Sequence, residues 1–525
     1  MKKLFVSFLV IVLCASLLAA CGSNASDSTS GAKTSIDDKA PSDSGKPGSS
    51  AGKNVFRFAR PEAFMTWDTF NQNALTNMML NPLVFDTLVY KTEDGSFEPL
   101  IAKEWSISTD GLVYTFTLNE GIKFHNGEEL TADDVKVTWD RVLVPDSTLV
   151  TKAMFSNIEA VKEIDEYTVA FKLIEPNGFF LSLLSQYPIT PGDLYKEKGP
   201  AMFDSPVGSG PFKFVSWEPG KKMVLERNYD YWGECASNVD IFEYHVINED
   251  TTRLSAVRTG DIDMSDTIPG DQLDILKKDG LEIKSVLSAD QLYIGFQFLD
   301  SPFADYNARM AFNHALDREG LVSILGSGRP ASWPCGEGSI GYDTNSKMIE
   351  YNVELAKEYL AKSGYKGEEI RLIGPIGSYE KINETLAAIH NMLTAAGFKV
   401  KLEQLEGAAF GEARKAGKYD AYIVGCSFPG GDGYQFLNQR VVGDSLTSHY
   451  KSEELNTAII TSNKEVDPAK RAELLKTAYT LLMKDSAPMN FIYQYQFNYA
   501  YRPGISGVEF RIDKIPMFKN VVKGN

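Results

Sequence analysis

Cysteine is scarce in this chain of 525 residues. The five cysteines are Cys14, Cys21, Cys235, Cys335 and Cys426, and no two of them have the CxxC spacing of a structural zinc site or a thioredoxin-type redox pair. Because a chain of this length can bury a large core, folding requires neither a disulfide nor a metal. At most one intramolecular disulfide can form among Cys235, Cys335 and Cys426.

Histidine and positive charge are also in short supply. The five histidines are scattered and form no HExxH pair, so we expect no metal centre. Asp and Glu together number 70 against 53 Lys and Arg, which gives a net charge of −17. Such an excess repels the phosphates of nucleic acids, and no basic cluster relieves it, so we expect no nucleic-acid partner.

The common sequence signatures of catalysis are missing as well. No GxSxG occurs, and none of the Gly-Lys pairs is followed by Ser or Thr as in a P-loop. Ser30 and Lys33 have the SxxK spacing, but they lie in a polar stretch where no site could be held rigidly. We therefore expect neither enzymatic activity nor a cofactor.

One long apolar run stands at the start of the chain. Lys2 and Lys3 precede an apolar stretch from Leu4 to Leu18, which is short for a membrane-spanning helix and is typical of a secretory signal. The sequence Leu18-Ala19-Ala20 directly before Cys21 is similar to a bacterial lipoprotein processing site. We expect residues 1–20 to be a signal peptide and Cys21 to become the lipidated N-terminus. An ordinary signal peptide with a chance cysteine is the alternative.

The segment after Cys21 is rich in Ser, Gly, Asp and Pro and has almost no large apolar side chain. Such a segment cannot bury enough surface to fold, so residues 21–53 are predicted to form a flexible tether. No later apolar run is long enough to cross a membrane. The sequence thus predicts an extracytoplasmic protein, anchored to the cell membrane by lipid.

Two hydrophobic patterns indicate a mixed α/β fold for the remaining chain. The turn formers Asp110-Gly111 are followed by period-two alternation over Leu112–Leu118, which predicts a β-hairpin. Apolar residues in Ile370–Ile373, Ile382–Leu393 and Phe398–Leu402 follow a strand, helix and strand pattern. This is a βαβ unit, which implies a parallel sheet covered by helices.

Five blocks of sequence carry a family resemblance. They are Leu100–Trp105 with Asp110-Gly111, Gly121–Gly127 and Thr131–Val135; Gly208–Phe212 with Glu226–Gly233; Gly260–Asp263; Pro302–Asp305 with Arg309 and Ala315–Arg318; and Leu355–Lys357 with Leu360 and Ser363–Tyr365. In this order they resemble the signature of the family 5 extracellular solute-binding proteins, the oligopeptide, dipeptide and nickel group that serves ABC importers.

The resemblance implies an α/β type II periplasmic-binding-protein fold, with two lobes joined by a hinge and an extra inserted domain. The implied ranges are 54–86, 208–305 and 498–525 for lobe I, 87–207 for the inserted domain and 306–497 for lobe II. Ligands of such proteins lie between the lobes, which close because the ligand has higher affinity for the closed state. The resemblance also implies a monomer whose partners are a small ligand and the permease subunits of the same importer.

The resemblance further implies where ligands bind. Relatives use the stretch that matches Asn73–Leu75 to pair with peptide backbone, a form of strand addition. Other contacts are implied in Tyr293–Phe298 and in Tyr419–Asp432. The predicted ligand-binding residues are Phe70, Asn73, Ala74, Leu75, Tyr293, Phe296, Gln297, Ser427, Phe428, Asp432 and Tyr493.

The chain departs from the peptide-binding relatives at three positions. Cys426 stands where they have Trp, and Thr69 replaces their proline after Asp68. Pro429 stands where they have the aspartate that pairs with the peptide ammonium. Because an unpaired buried ammonium is costly, either Asp432 takes this role or the ligand has no free amine at that place.

We interpret the chain as the binding component of an ABC importer for short peptides. An oligosaccharide ligand remains open, because 24 Tyr and 30 Phe could supply stacking surfaces, although aromatic residues also fill cores. A nickel or metal-complex ligand has little support from so few histidines. A surface hydrolase, or a sensory or adhesive lipoprotein on the same fold, would need a site that the sequence does not display.

Overall fold

A computed structural model describes residues 52–72, 74–93, 95–428, 431–443, 448–484 and 489–524. The predicted signal peptide, Cys21 and the predicted tether up to residue 51 lie outside the described residues. Within the described ranges, no helix has both the length and the apolar character that crossing a membrane requires.

Strands and helices alternate along much of the chain. The strands are β1 (Val55–Arg60), β2 (Val89–Lys91), β3 (Phe97–Pro99), β4 (Ala102–Ile107), β5 (Val113–Leu118), β6 (Ile158–Asp165), β7 (Thr168–Leu173), β8 (Phe212–Glu218), β9 (Lys222–Arg227), β10 (Ile241–Val246), β11 (Met264–Ser265), β12 (Glu282–Phe296), β13 (Arg329–Pro330), β14 (Glu369–Pro375), β15 (Lys399–Leu405), β16 (Ala421–Cys426), β17 (Met489–Tyr501), β18 (Ile505–Ser506), β19 (Glu509–Phe510), β20 (Pro516–Met517) and β21 (Val522–Lys523). The α-helices are α1 (Leu75–Val84), α2 (Ala132–Leu143), α3 (Phe180–Leu184), α4 (Gly192–Lys198), α5 (Asp250–Thr259), α6 (Leu273–Lys278), α7 (Tyr306–Ala315), α8 (Arg318–Leu325), α9 (Val353–Lys362), α10 (Ile382–Ala395), α11 (Gly407–Lys415), α12 (Tyr434–Leu437), α13 (Glu453–Lys464) and α14 (Pro468–Lys484).

The two sequence patterns are found as predicted. β14 and β15 pair in parallel, and α10 connects them with its apolar side chains buried. β4 and β5 form the predicted antiparallel hairpin. Gly111 has a φ of 71° in the hairpin turn, a conformation that glycine adopts without a steric penalty.

An eleven-stranded sheet is the frame of the molecule. Its strand order is β15-β14-β16-β12-β17-β11-β1-β10-β9-β8, and β13 pairs with β17 beside this path. We call β1 and β8–β11, with α5 and α6, the first half, and β14–β16, with helices α7–α14, the second half. The long antiparallel strands β12 and β17 lie between the two halves.

The pairing between β12 and β17 is interrupted in the middle of β12. Its N-terminal residues pair with β17 up to Leu287, pairing resumes at Gln291, and a second register shift follows between Leu292 and Tyr293. β11 pairs with the C-terminal end of β17, whereas β16 pairs with the C-terminal part of β12. The irregular residues 288–290 therefore lie where the chain passes from the first half to the second.

A third body, the side unit, consists of the four-stranded sheet β4-β5-β7-β6 with α2 and α3. It has its own core, in which Trp139 packs edge-on against Phe155 and Phe171. Separate buried clusters support the first half and the second half. The predicted lobe boundaries stay a prediction.

Candidate functional site

A cleft of about 860 Å³ lies between the first and the second half. Glu62, α5 and the loop 267–272 contribute one wall. The opposite wall comes from the loop 377–381 and from the end of β16. Its volume falls within the range of small-molecule binding pockets. The cleft is therefore the candidate ligand-binding site.

Asp290 joins three segments of the chain at the floor of this cleft. Its carboxylate accepts hydrogen bonds from the Ser427 hydroxyl and from the Phe428 backbone N–H, each at 3.1 Å. The Lys514 ammonium donates to the same carboxylate at 2.5 Å. Asp290 belongs to the irregular part of β12. The cluster therefore connects this part of β12 to the end of β16 and to the C-terminal segment that carries Lys514.

Acidic side chains outnumber basic ones around the cleft. The lining carboxylates are Glu62, Asp250, Asp271, Asp290 and Glu380, and the lining bases are Arg258, Lys381 and Lys514. Several of these groups form ion pairs within the protein, among them Asp271 with Lys381 at 3.7 Å and Arg258 with Asp279 at 2.7 Å. Much of the charge in the cleft is thus balanced before a ligand arrives.

The predicted residues at the end of β16 lie at different depths. Ser427 is exposed and lines the cleft. Phe428 is fully buried, with its ring 5.3 Å from that of Phe436. Pro429, where the family resemblance implies an aspartate, lies outside the described residues. The structure thus brings Ser427 to the cleft and places the Phe428 ring in the core behind it.

The predicted residues in β12, in β17 and directly after β12 are buried. Tyr293 packs against Phe436, and Phe296 packs against Phe303 at a ring distance of 4.7 Å. Gln297 accepts hydrogen bonds from two backbone N–H groups of the following residues. Tyr493 stacks edge-on against Tyr495, and burial raises the pKa of Tyr493 to about 12. None of these four side chains lines the cleft of the described chain, and their ligand contacts stay predictions.

The described members of the predicted segment, Phe70, Ala74 and Leu75, do not line the cleft. Phe70 is fully buried in the core of the side unit, where its ring stacks on Tyr187 at 5.2 Å. Ala74 and Leu75, at the start of α1, are half-buried, and Asn73 lies outside the described residues. Strand addition at Asn73–Leu75 therefore stays a prediction.

Asp432 is buried in an ion pair. Its carboxylate receives two bonds from the Arg471 guanidinium, at 2.5 and 3.1 Å, and both side chains are at most 4% exposed. Burial favours the neutral acid, but Arg471 outweighs it and holds the pKa of Asp432 below its usual value. The Asp432 carboxylate is thus committed to a partner within the protein.

Lys91, in β2, is a buried base near this ion pair. Its ammonium lies 3.1 Å from the Ser182 hydroxyl, and Lys91 as a whole is 2% exposed. Burial lowers the pKa of Lys91 to about 8, against the opposing effect of the Asp432 and Asp513 carboxylates. The group therefore releases its proton in the folded state at a lower pH than in the unfolded chain.

This shift predicts a pH-dependent stability. In the unfolded chain, the pKa of lysine is about 10.4. Between about pH 8 and pH 10 the unfolded chain therefore binds more protons at Lys91 than the folded protein does, and the free energy of unfolding increases with pH. We expect the stability of the unmodified protein relative to Lys91→Met to increase over this range in urea unfolding. A difference that stays constant with pH would rule out the lowered pKa.

The second half contacts both the first half and the side unit. Loop 267–272 approaches the end of α8 so closely that a Cβ on Gly270 would lie 2.6 Å from the Gly326 oxygen. The Gly178 N–H of the side unit donates to the Asn463 carbonyl at 2.5 Å, and Lys464 pairs with Glu175 at 3.1 Å. The second half is therefore in direct contact with the first half and with the side unit.

Other cleft residues were not predicted from the sequence. Asp290, Thr251, Tyr379, Phe497 and Lys514 line the cleft but lie in five separate parts of the chain. None of them has a recognisable motif around it.

The three described cysteines, which could have formed one disulfide, are free.

The chain matches a family model and is similar to several known proteins. A model of the bacterial extracellular solute-binding proteins, family 5 Middle, matches residues 96–445. The glutathione-binding protein GsiB of Salmonella typhi is 24% identical over 440 residues, which cover 81% of this chain and 86% of that protein. The oligopeptide-binding protein AppA of Bacillus subtilis is 26% identical over 531 residues, which cover 95% of each. The structure of the periplasmic binding protein DppA from Helicobacter pylori, in complex with the peptide STSA, superposes with a TM-score of 0.73 at 25% identity, over 89% of this chain and 98% of that one.

Proposed function

We propose that this chain, which belongs to the bacterial extracellular solute-binding proteins of family 5, is the substrate-binding component of an ABC importer. It captures short peptides in the cleft between its two halves. Members of this family are solute-binding proteins, and the chain is accordingly not an enzyme. Its fold is the type II periplasmic-binding-protein fold.

The observation that carries the proposal is the cleft of about 860 Å³ between the halves, beside the two long strands β12 and β17 that lie between them. Two bodies joined by a pair of strands can rotate about those strands, which is the geometry of hinge closure. The names of the relatives support a peptide-type ligand, since one is called glutathione-binding and the other oligopeptide-binding.

The predicted lobes are part of this proposal. Lobe I would comprise 54–86, 208–305 and 498–525, and lobe II 306–497, with the insertion 87–207 built around the side unit. The ligand stabilises the closed arrangement only to the extent that it binds that arrangement more tightly than the open one. The permease would then recognise the closed form.

Anchoring by lipid is the other part of the proposal. The basic start, the apolar run and the small residues before Cys21 support cleavage after residue 20 and lipidation of Cys21. Residues 21–53 would then tether the folded part to the cell membrane, and the protein would act as a monomer on the extracytoplasmic side.

Two neighbouring threonines of α5 provide a test of the cleft. Thr251 lines the cleft, whereas Thr252 is exposed on the same helix but does not line it. Because tryptophan fills space that a ligand needs, Thr251→Trp is expected to weaken binding of short peptides by about tenfold or more, which corresponds to at least about 1.4 kcal/mol. Isothermal titration of the full-length protein with a mixed tri- to hexapeptide library measures this loss.

The matched control is Thr252→Trp, which is expected to bind the library as the unmodified protein does. Equal affinities for both variants would show that peptides bind elsewhere. Binding of oligosaccharides in place of peptides, lost in Thr251→Trp, would keep the cleft as the site and overturn the peptide ligand.

A further inference from the structure

We propose that Lys514 is a built-in substitute for the ligand ammonium, so that the ligand offers a hydrogen-bond acceptor rather than a free amine at the floor of the cleft. The acceptor would be a blocked terminus, a peptide carbonyl or a carboxylate. This inference rests on the proposed function and specifies the chemistry of its ligand.

The argument begins with the carboxylates near the end of β16. Residue 429 is an uncharged proline, and the Asp432 carboxylate is bound to Arg471. Asp290 fills the gap from another strand, because its carboxylate bonds to the Ser427 hydroxyl and to the Phe428 N–H, directly before position 429. An acid is therefore present beside this part of the cleft, but it comes from β12.

This acid already holds an ammonium. Lys514 Nζ lies 2.5 Å from Asp290 Oδ2 and 4.9 Å from the centre of the Phe497 ring, and all three residues line the cleft. A carboxylate on one side and an aromatic face on the other form the kind of environment that binds a cation. In this protein the cation is supplied by the chain itself.

The backbone of Lys514 supports a specific placement. Its φ is 61°, in the left-handed region that side-chain-bearing residues rarely adopt. The Lys514 N–H bonds to the Arg511 carbonyl, and its own carbonyl accepts from the Tyr499 hydroxyl. The turn is thus fixed from both sides, which holds the side chain toward Asp290 despite the unfavourable conformation.

A ligand amine would have to compete with this tethered group. Two ammonium groups at one carboxylate repel each other, and Lys514 has the advantage of being attached to the protein. An ammonium has three donors, and Asp290 uses at least one of them. The others can serve an acceptor of the ligand, so the site favours a ligand end that is neutral or negative.

Paired peptide libraries test this inference. Full-length protein is titrated with one tri- to hexapeptide library in two forms, with free and with acetylated N-termini. We expect the acetylated form to bind about tenfold more tightly to the unmodified protein. Lys514→Met frees Asp290 for a ligand amine and is expected to reverse this preference.

Asp290→Asn/Lys514→Met is the second variant, because it removes both charges and leaves no buried carboxylate unpaired. It is expected to bind both forms about equally. A preference of the unmodified protein for free amines, or a ratio that Lys514→Met leaves unchanged, would overturn the role of Lys514 while keeping the peptide function. Failure of both libraries to bind would overturn the proposed function and this inference with it.

Discussion

Asp432→Asn is expected to lower the free energy of unfolding by about 3–5 kcal/mol, which is the usual effect of removing one partner of a buried ion pair. The reason is the position of Arg471, whose guanidinium is 4% exposed and would be left without its counter-ion. Asparagine keeps the shape of the side chain but cannot balance the charge. The residue predicted from the sequence to meet a ligand is thus expected to act mainly on stability.

Chemical denaturation of matched variants measures this effect. Asp432→Asn/Arg471→Met is expected to recover much of the loss, because it removes the uncompensated charge together with its partner. Asp279→Asn is the exposed control: its pair with Arg258 is 2.7 Å long but open to solvent, and we expect about 1 kcal/mol or less. An Asp432→Asn variant that is fully stable but has lost peptide binding would return Asp432 to the ligand site.

Gly178→Ala is expected to weaken peptide binding by about tenfold or more although residue 178 does not line the cleft. A Cβ at this position would overlap the Glu465 carbonyl oxygen and lie 2.6 Å from Arg471 Cδ. The backbone contact cannot move aside without separating the side unit from the second half. The variant is therefore expected to disfavour the arrangement in which the side unit contacts the second half. If closure needs this contact, the apparent affinity falls with the fraction of molecules that can close.

Gly411→Ala provides the control, because a Cβ on Gly411 meets open space. It is expected to leave affinity unchanged. Titration with the peptide library gives the affinities, and small-angle scattering of the ligand-bound proteins reports whether Gly178→Ala stays more extended. Unchanged affinity and scattering would show that the contact at Gly178 plays no part in closure.

The local elements of the fold could be predicted from the sequence because their signals are local. The turn at Asp110-Gly111 and the period of two after it are confirmed as part of the β4–β5 hairpin. The strand, helix and strand pattern over 370–402 is confirmed as two parallel strands with α10 between them. In each case neighbouring side chains determine both the element and the face that it buries.

The site could be predicted much less well because its groups come together only through the fold. Asp290 meets Ser427 and Lys514, which lie 137 and 224 residues away along the chain. Arg471, which takes up the Asp432 carboxylate, is 39 residues from it. Apolar residues such as Tyr293 and Phe428 were assigned to the ligand by family resemblance, and the same apolar character lets them fill the core.

Native mass spectrometry of the purified full-length protein, incubated with equal amounts of a short-peptide library and an oligosaccharide mixture, tests the central proposal most directly. Released small molecules are identified after denaturation. We expect one bound ligand per chain, drawn from the peptides, and its loss in Thr251→Trp but not in Thr252→Trp. A bound oligosaccharide, a metal complex retained from the host, or no retained peptide would contradict the account.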